Sequence, residues 1–472
     1  MSPALVPNDP PISKRPLAGA TPPRPFLNQL NQRSTSRLSG SLAVGAAAIL
    51  AIAFALPVRA ATTPGEEPGE DIIRAIPPLP FPQNDPQVAL GYLNAKLPPY
   101  NAVGNGIADD TNALQTAAIA ARDHQLVLFL PAGTYRVSNT TQGIMNSDPT
   151  GCNTQASEVH RSLPTRILGS RLGAGVTIRL ADNASGFDNP DLPKPVLDFF
   201  ALGREQVSPP TTPCTYNIVR LAGGSNYNHT LRHVRILIGS GNAGAVGVNM
   251  GTDQGGLLED VRVEAVTGAS FFAGAYDIPG QGGGAYNLDV TGGLYGVYIT
   301  EGSRFPLLAG CRFTNQTLTA VSCRHSGPLV IAGCYFNEPL GVNGVEMFQS
   351  DPPLKPSVAK AVGVTIVDSV FALKNNAIAV LNNTVGDTNS VAKNVYLNSV
   401  YLASGVVAVQ NGTAQWKPGG RTLINEYAYT NPGTGEQSAT NLINGNLNKT
   451  EIKTFVPGPA LPAYTTLQAR HT

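Results

Sequence analysis

Leu308-Ala309-Gly310-Cys311-Arg312-Phe313 and Ile331-Ala332-Gly333-Cys334-Tyr335-Phe336 are two copies of one six-residue unit, set 23 residues apart. The unit has apolar residues at its first, fourth and sixth places and small or polar ones between them. Outward from this pair it recurs as Leu231-Arg232-His233-Val234-Arg235-Ile236, Leu258-Glu259-Asp260-Val261-Arg262-Val263, Ile366-Val367-Asp368-Ser369-Val370-Phe371 and Tyr396-Leu397-Asn398-Ser399-Val400-Tyr401, with a weaker copy around Val290. Taking Val234, Val261, Val290, Cys311, Cys334, Ser369 and Ser399 as central residues, the intervals are 27, 29, 21, 23, 35 and 30. The stretch contains no helix-period pattern. A repeat of this length built only from short strand-like runs predicts an all-β chain, a single-stranded right-handed parallel β-helix. Coils stack at about 4.8 Å, which makes Cys311 and Cys334 vertical neighbours. That spacing lies within the roughly 4.4–6.8 Å Cα range of a disulfide, and it equally suits two reduced thiols in an inward column.

Composition agrees. Of 472 residues 13% are charged and 42% hydrophobic, with 50 Gly and 39 Pro. Glu, Lys and Arg are too scarce for a coiled coil, and the apolar content is too high for general disorder. A formal net charge of +1 from 32 basic and 31 acidic residues excludes the strongly basic field of a nucleic-acid binder. Five cysteines without a CxxC pair argue against zinc and suit an oxidising compartment. Cys152 and Cys214 form a second possible disulfide.

Residues 1–60 read as an N-terminal extension ending in a signal peptide: an uncharged apolar run from Leu42 to Val58, then Val58-Arg59-Ala60. An uncleaved membrane anchor is the alternative. Either way the body is expected outside the cytoplasm, extracellular, periplasmic or on the cell surface, and a membrane is a partner only if the leader is retained. A Pro-rich lead-in (61–94), the solenoid (95–430) and a C-terminal tail (431–472) complete the expected organisation.

The solenoid should open with Asn105-Gly106-Ile107-Ala108-Asp109-Asp110-Thr111 and a helix from about Thr111 to Arg122, N-capped by Asp110 or Thr111. Strands Leu126–Leu130 and Arg136–Ser138 flank the turn Pro131–Tyr135. This opening, through Gln115 and then Leu128-Phe129-Leu130-Pro131-Ala132-Gly133-Thr134-Tyr135, resembles that of the pectate-lyase-superfamily β-helix, shared by rhamnogalacturonase-like and polygalacturonase-like proteins. The stretch Gly282–Gly296 resembles the first β-helix of the glycoside hydrolase family 55 exo-β-1,3-glucanases. The resemblance implies that the Asp pair caps a helix plugging the solenoid end. Family 55 enzymes carry their catalytic glutamate on a second β-helix, and this chain has length for only one, so none of their catalytic residues carries over.

Functional groups on a solenoid should project at the coil period. Asp253, Asp277, Glu301, His325 and Gln349 are each 24 residues apart, in turns after successive strands. Glu301 is the expected general acid, with Asp277 or Asp253 as base or nucleophile. Stacked carboxylates about 5 Å or 9–10 Å apart approximate the two glycosidase geometries. Arg304, Arg324, His325 and Gln349 are candidate substrate contacts, and Tyr276, Phe348 and Trp416 candidate sugar-stacking rings. Glu346 and Asp351 form a second acidic cluster.

The expected function is that of a secreted glycoside hydrolase with a polysaccharide as partner, needing no metal or other cofactor. The alternatives are a lyase acting on uronic acid polymers, for which calcium is possible, and a non-catalytic carbohydrate-binding or adhesive solenoid. Seven Asn-x-Ser/Thr sequons (Asn139, Asn183, Asn228, Asn315, Asn382, Asn411, Asn448) are nominal glycosylation sites.

Overall fold

The computed structural model describes residues 90–145, 164–206, 216–220, 227–252, 254–300, 305–324, 328–347, 363–382, 394–411, 413–429 and 451–471. The expected leader, Cys152 and Cys214 lie outside these residues. Short strands stack in parallel register into three ladders, which makes the chain a parallel β-helix.

The first ladder runs from Tyr92–Asn94 through Val127–Leu130, Arg166–Gly169 and the opening of Thr230–Ile238 to Leu329–Ala332, Val364–Val367 and the opening of Val395–Leu402. The second runs from Asn105–Asp109 through Gly133–Val137 and Val176–Leu180 to Arg312–Thr314, Tyr335–Glu338 and Val370–Leu373. The third stacks Thr141–Met145, Lys194–Gln206, Ala245–Asn249, Ala273–Tyr276, Tyr295–Ile299, Thr319–Cys323, Asn343–Met347, Ile378–Asn382 and Val407–Asn411.

One left-handed residue per coil joins the first ladder to the second. His233, Asp260, Asn287, Gly310, Gly333, Asp368 and Ser399 follow register-aligned strand ends, and all have φ between 43° and 63°. This corner explains the small or polar place inside the repeat, because Gly, Asn and Asp tolerate that conformation best. It also shifts two copies. Leu288, not Val290, is the central residue of the weak copy, since Arg262 pairs Asp289 and Val263 pairs Val290. In the last copy Val400 takes that place and Ser399 the corner, since Ile366 pairs Leu397.

Inside, Ile236, Val263, Val290, Phe313, Phe336 and Phe371 form a register-aligned, fully buried column. Phe336 and Phe371 stack with ring centroids 4.4 Å apart. The third ladder faces this column with glycine: a Cβ on Gly296 would lie 2.5 Å from Phe313 Cδ1, and one on Gly344 2.5 Å from Phe371 Cε1. The narrow interior thus accounts for part of the glycine content. Cys311 and Cys334 hold equivalent places on adjacent coils, both buried and neither bridged in this structure. Cys323 is likewise buried.

The plug helix spans Thr111–Asp123 and buries Leu114, Ala117, Ala118, Ala120 and Ala121. Its expected side-chain cap is absent. Asp110 stands at the N-cap, but its carboxylate turns back to accept from the Val103 and Gly104 backbone N–H groups at 2.6 and 3.0 Å. Asp109 instead accepts from Thr111 N–H at 3.0 Å. Tyr135, fully buried, donates its hydroxyl to Pro131 O at 2.7 Å. The strand after the turn is Gly133–Val137 rather than Arg136–Ser138, because it begins on the turn glycine to pair with Val176–Leu180.

The parallel solenoid closes at its C-terminal end with antiparallel strands: Thr422–Tyr429 against Val395–Leu402, Glu451–Pro457 against Thr422–Tyr429, and Ala414–Trp416 against Val407–Asn411. Two of the sequons are interior. Asn382 Nδ2 donates to Asn411 Oδ1 at 3.0 Å and Asn411 Nδ2 to the Tyr427 hydroxyl at 3.1 Å, so neither offers a free amide to a glycosylating enzyme. Asn139, Asn183, Asn228 and Asn315 are exposed, and Asn448 lies outside the described residues.

Candidate functional site

The third ladder carries a second, smaller hydrophobic cluster separate from the core: Val246, Phe272 and Ala273, with half-buried Tyr276, Leu294, Tyr295 and Tyr298 packed against them. The reason is a pattern of outward tyrosines. Ala273 pairs Tyr295 and Tyr276 pairs Tyr298, so successive coils bring the rings together. Tyr276 and Tyr298 have centroids 5.5 Å apart, Tyr295 and Tyr298 4.9 Å, and Phe272 lies 5.3 Å from Tyr298 beneath them. This is an aromatic ledge on the outside of the solenoid.

Polar groups flank the ledge along the same register column, which reads Asp198, Asn249, Tyr276, Tyr298, Ser322 and Glu346. On one side Asn249 Nδ2 donates to buried Asp198 Oδ1 at 2.8 Å. On the other, the Arg324 guanidinium lies 5.3 Å from the Tyr298 ring centroid, and Glu346 Oε1 accepts from Asn343 Nδ2 at 2.9 Å. Burial pushes the Tyr295 phenol above its usual range; the Arg324 cation opposes this and Glu346 adds to it. All three groups therefore share one electrostatic neighbourhood.

Three residues singled out from the sequence, Tyr276, Arg324 and Glu346, meet at this ledge. The rest of the site, Phe272, Tyr295, Tyr298, Ser322, Asn343, Asp198 and Asn249, lies on strands and their flanks, whereas the sequence search followed turns. The spacing Tyr295-x-x-Tyr298 on a β-rich run was the available signal.

The 24-residue spacing matches the ladder only in part. Register intervals are 27 from Asn249 to Tyr276 and 22 from Tyr276 to Tyr298, and they settle at 24 only for Tyr298, Ser322 and Glu346. Asp277 is buried at a left-handed corner (φ 55°), and its carboxylate accepts from the Thr300 N–H and hydroxyl at 2.5 and 2.8 Å. It serves there as a turn cap. Trp416 is not part of the ledge: it stacks on buried Tyr427 at 5.2 Å and carries Lys453 over its ring at 5.5 Å, in the C-terminal closure. Asp253, Glu301, Arg304, His325, Phe348, Gln349 and Asp351 lie outside the described residues. Among the described residues no group of three or more His, Cys, Asp or Glu is placed to hold a metal ion.

Residues 96–151 match the family described as rhamnogalacturonase A/epimerase, pectate lyase-like. No curated protein matches the chain. Among solved structures, similarity extends to PfbA, a surface adhesin of Streptococcus pneumoniae (14% identity, 69% of this chain and 82% of that chain, TM-score 0.31). It extends also to the tailspike protein of Acinetobacter phage vB_ApiP_P1 (12%, 70% and 56%, 0.39) and to the A-module of the Azotobacter vinelandii mannuronan C-5 epimerase AlgE4 (12%, 68% and 88%, 0.24).

Proposed function

We propose that the protein binds a polysaccharide across the outer face of its third ladder, with sugar rings packed on Tyr276, Tyr295 and Tyr298 and polar contacts from Arg324, Asn343 and Glu346. The observation that carries this reading is the ledge itself, a cluster of aromatic rings outside the core on a face where a solvated sheet would present polar side chains. Tyrosine suits the task because its ring offers an apolar face while its hydroxyl remains a donor and acceptor. The test is affinity electrophoresis against a panel of neutral and acidic polysaccharides. At least one should retard the parent chain, and Tyr298→Ala should weaken that retardation by roughly tenfold. Equal retardation of parent and variant would remove the ledge from the site.

A second reading, that the bound chain is also hydrolysed, is favoured by Glu346, a carboxylate beside the ledge and oriented by Asn343. The other carboxylate on the column, Asp198, stands five ladder steps away, about 24 Å. Two-carboxylate hydrolysis needs a separation of about 5–9.5 Å, so Glu346 would require another partner, and Glu301 remains the acid proposed from the sequence. Assays for new reducing ends and for ultraviolet-absorbing unsaturated ends, run on the parent, Glu301→Gln and Glu346→Gln, separate hydrolysis, elimination and binding alone.

A further inference from the structure

The last described segment does not leave the solenoid as a free tail. Glu451–Pro457 pairs along Thr422–Tyr429, and the helix Tyr464–His471 then docks far back on the second ladder. There the Tyr464 hydroxyl donates to Gly310 O at 2.9 Å, the Arg312 guanidinium lies 5.0 Å from its ring centroid, and the Tyr335 ring meets it edge-on at 6.2 Å. Leu467, one turn on, is fully buried. The register from Arg312 through Tyr335, Val370, Tyr401 and Leu423 to Val456 is five steps, or about 24 Å at strand spacing. Seven residues lie between Val456 and Tyr464, eight Cα steps with a full reach of roughly 26–29 Å. The linker, Pro457-Gly458-Pro459-Ala460-Leu461-Pro462-Ala463, is long enough to cross these steps, and its three prolines favour the extended form.

We infer that residues 458–471 are a clasp that ties the C-terminal closure to the middle coils and holds those coils at a fixed spacing, with Tyr464 as its latch. In a solenoid each coil otherwise touches only its neighbours, so a tie that crosses several strand steps couples coils that would open independently. The coils it reaches matter: Arg312–Thr314 and Tyr335–Glu338 flank Thr319–Cys323 in the chain, and Arg324 and Glu346 stand on the turn and strand that follow. Burial raises the Tyr464 phenol above its usual range, which keeps the latch hydroxyl protonated as a donor.

Amide hydrogen exchange on the full chain tests the clasp. Tyr464→Ala should speed exchange about tenfold in Arg312–Thr314 and Tyr335–Glu338 while leaving Val234–Ile238 and Val261–Val263 unchanged. Tyr464→Phe, which keeps the ring and loses only the bond to Gly310 O, should give a smaller change in the same strands. Unchanged exchange in both variants, or an equal rise at both ends of the solenoid, would overturn the inference.

Discussion

Glu338, at the end of the strand Tyr335–Glu338, is a carboxyl with no exposed surface. Its Oε2 accepts from the Gln316 backbone N–H at 2.9 Å, and burial pushes its pKa from 4.5 up to about 8. The native state thus holds a proton that the unfolded chain releases near pH 4.5. The stability this contributes is complete below that pH and is lost as pH rises through about 8. His229 has the opposite sense: buried, with Nδ1 accepting from the Thr165 N–H at 2.9 Å, it is pushed down to about 4. Its contribution is present above the usual value of 6.5 and is lost as pH falls through about 4. The two slopes oppose one another between about pH 4.5 and 6.5, and only that of Glu338 persists from 6.5 to 8. Urea unfolding should therefore show stability falling between pH 6.5 and 8 by an amount on the order of 1–2 kcal/mol, and Glu338→Gln should flatten that interval. An unchanged slope in the variant would mean that Glu338 is ionised in the fold. Neither group was legible in the sequence, because burial of a strand-end glutamate depends on which coil lies above it. Asp109 and Asp110 show the same gap: the pair marked the helix start correctly, but which backbone N–H groups each would hold depended on the returning strand.

At the scale of strands, the sequence showed the repeat more clearly than its phase. The Leu-x-x-Val/Cys units are legible because inward residues must be apolar at every coil, whatever the turn lengths. The 24-residue spacing is the ladder's own from Tyr298 to Glu346 but not from Asn249 to Tyr298, because equal spacing in sequence equals stacking only where turns have equal length, and the turn between Asn249 and Tyr276 is longer than the one that follows. The glycines facing the phenylalanine column give this argument a measurable form. Gly344 does not have positive φ, so its backbone accepts alanine; what forbids it is space, with Phe371 Cε1 at 2.5 Å and Ala379 O at 2.8 Å from the new Cβ. Gly344→Ala should cost about 1–3 kcal/mol. Trimming the opposing ring, Phe371→Leu, should cost less in the Gly344→Ala background than in the parent, a positive coupling in a double-mutant cycle. Additive losses would show that the two ladders do not press on each other at this coil.

For the molecule as a whole, the core and the ledge are distinct in construction, and that separation can be tested. Phe313, Phe336 and Phe371 form a continuous interior stack in which Phe336 touches both neighbours, with centroids 5.4 and 4.4 Å away. Tyr298 belongs to the outer cluster, half-buried and not part of the main core. A solenoid passes stability from coil to coil, so a cavity at Phe336 weakens two interfaces at once and should cost about 3–5 kcal/mol. Tyr298→Ala removes contacts on one face only and leaves the interior stack intact, so its cost should stay near 1 kcal/mol. Denaturant midpoints for the two variants, measured with the same slope, give the comparison directly. A large loss for Tyr298→Ala would make the ledge a structural element and its tyrosines packing residues. A small loss, together with weaker polysaccharide retardation, would show rings kept on the outside of the fold at little cost to its stability, which is the arrangement a binding face requires.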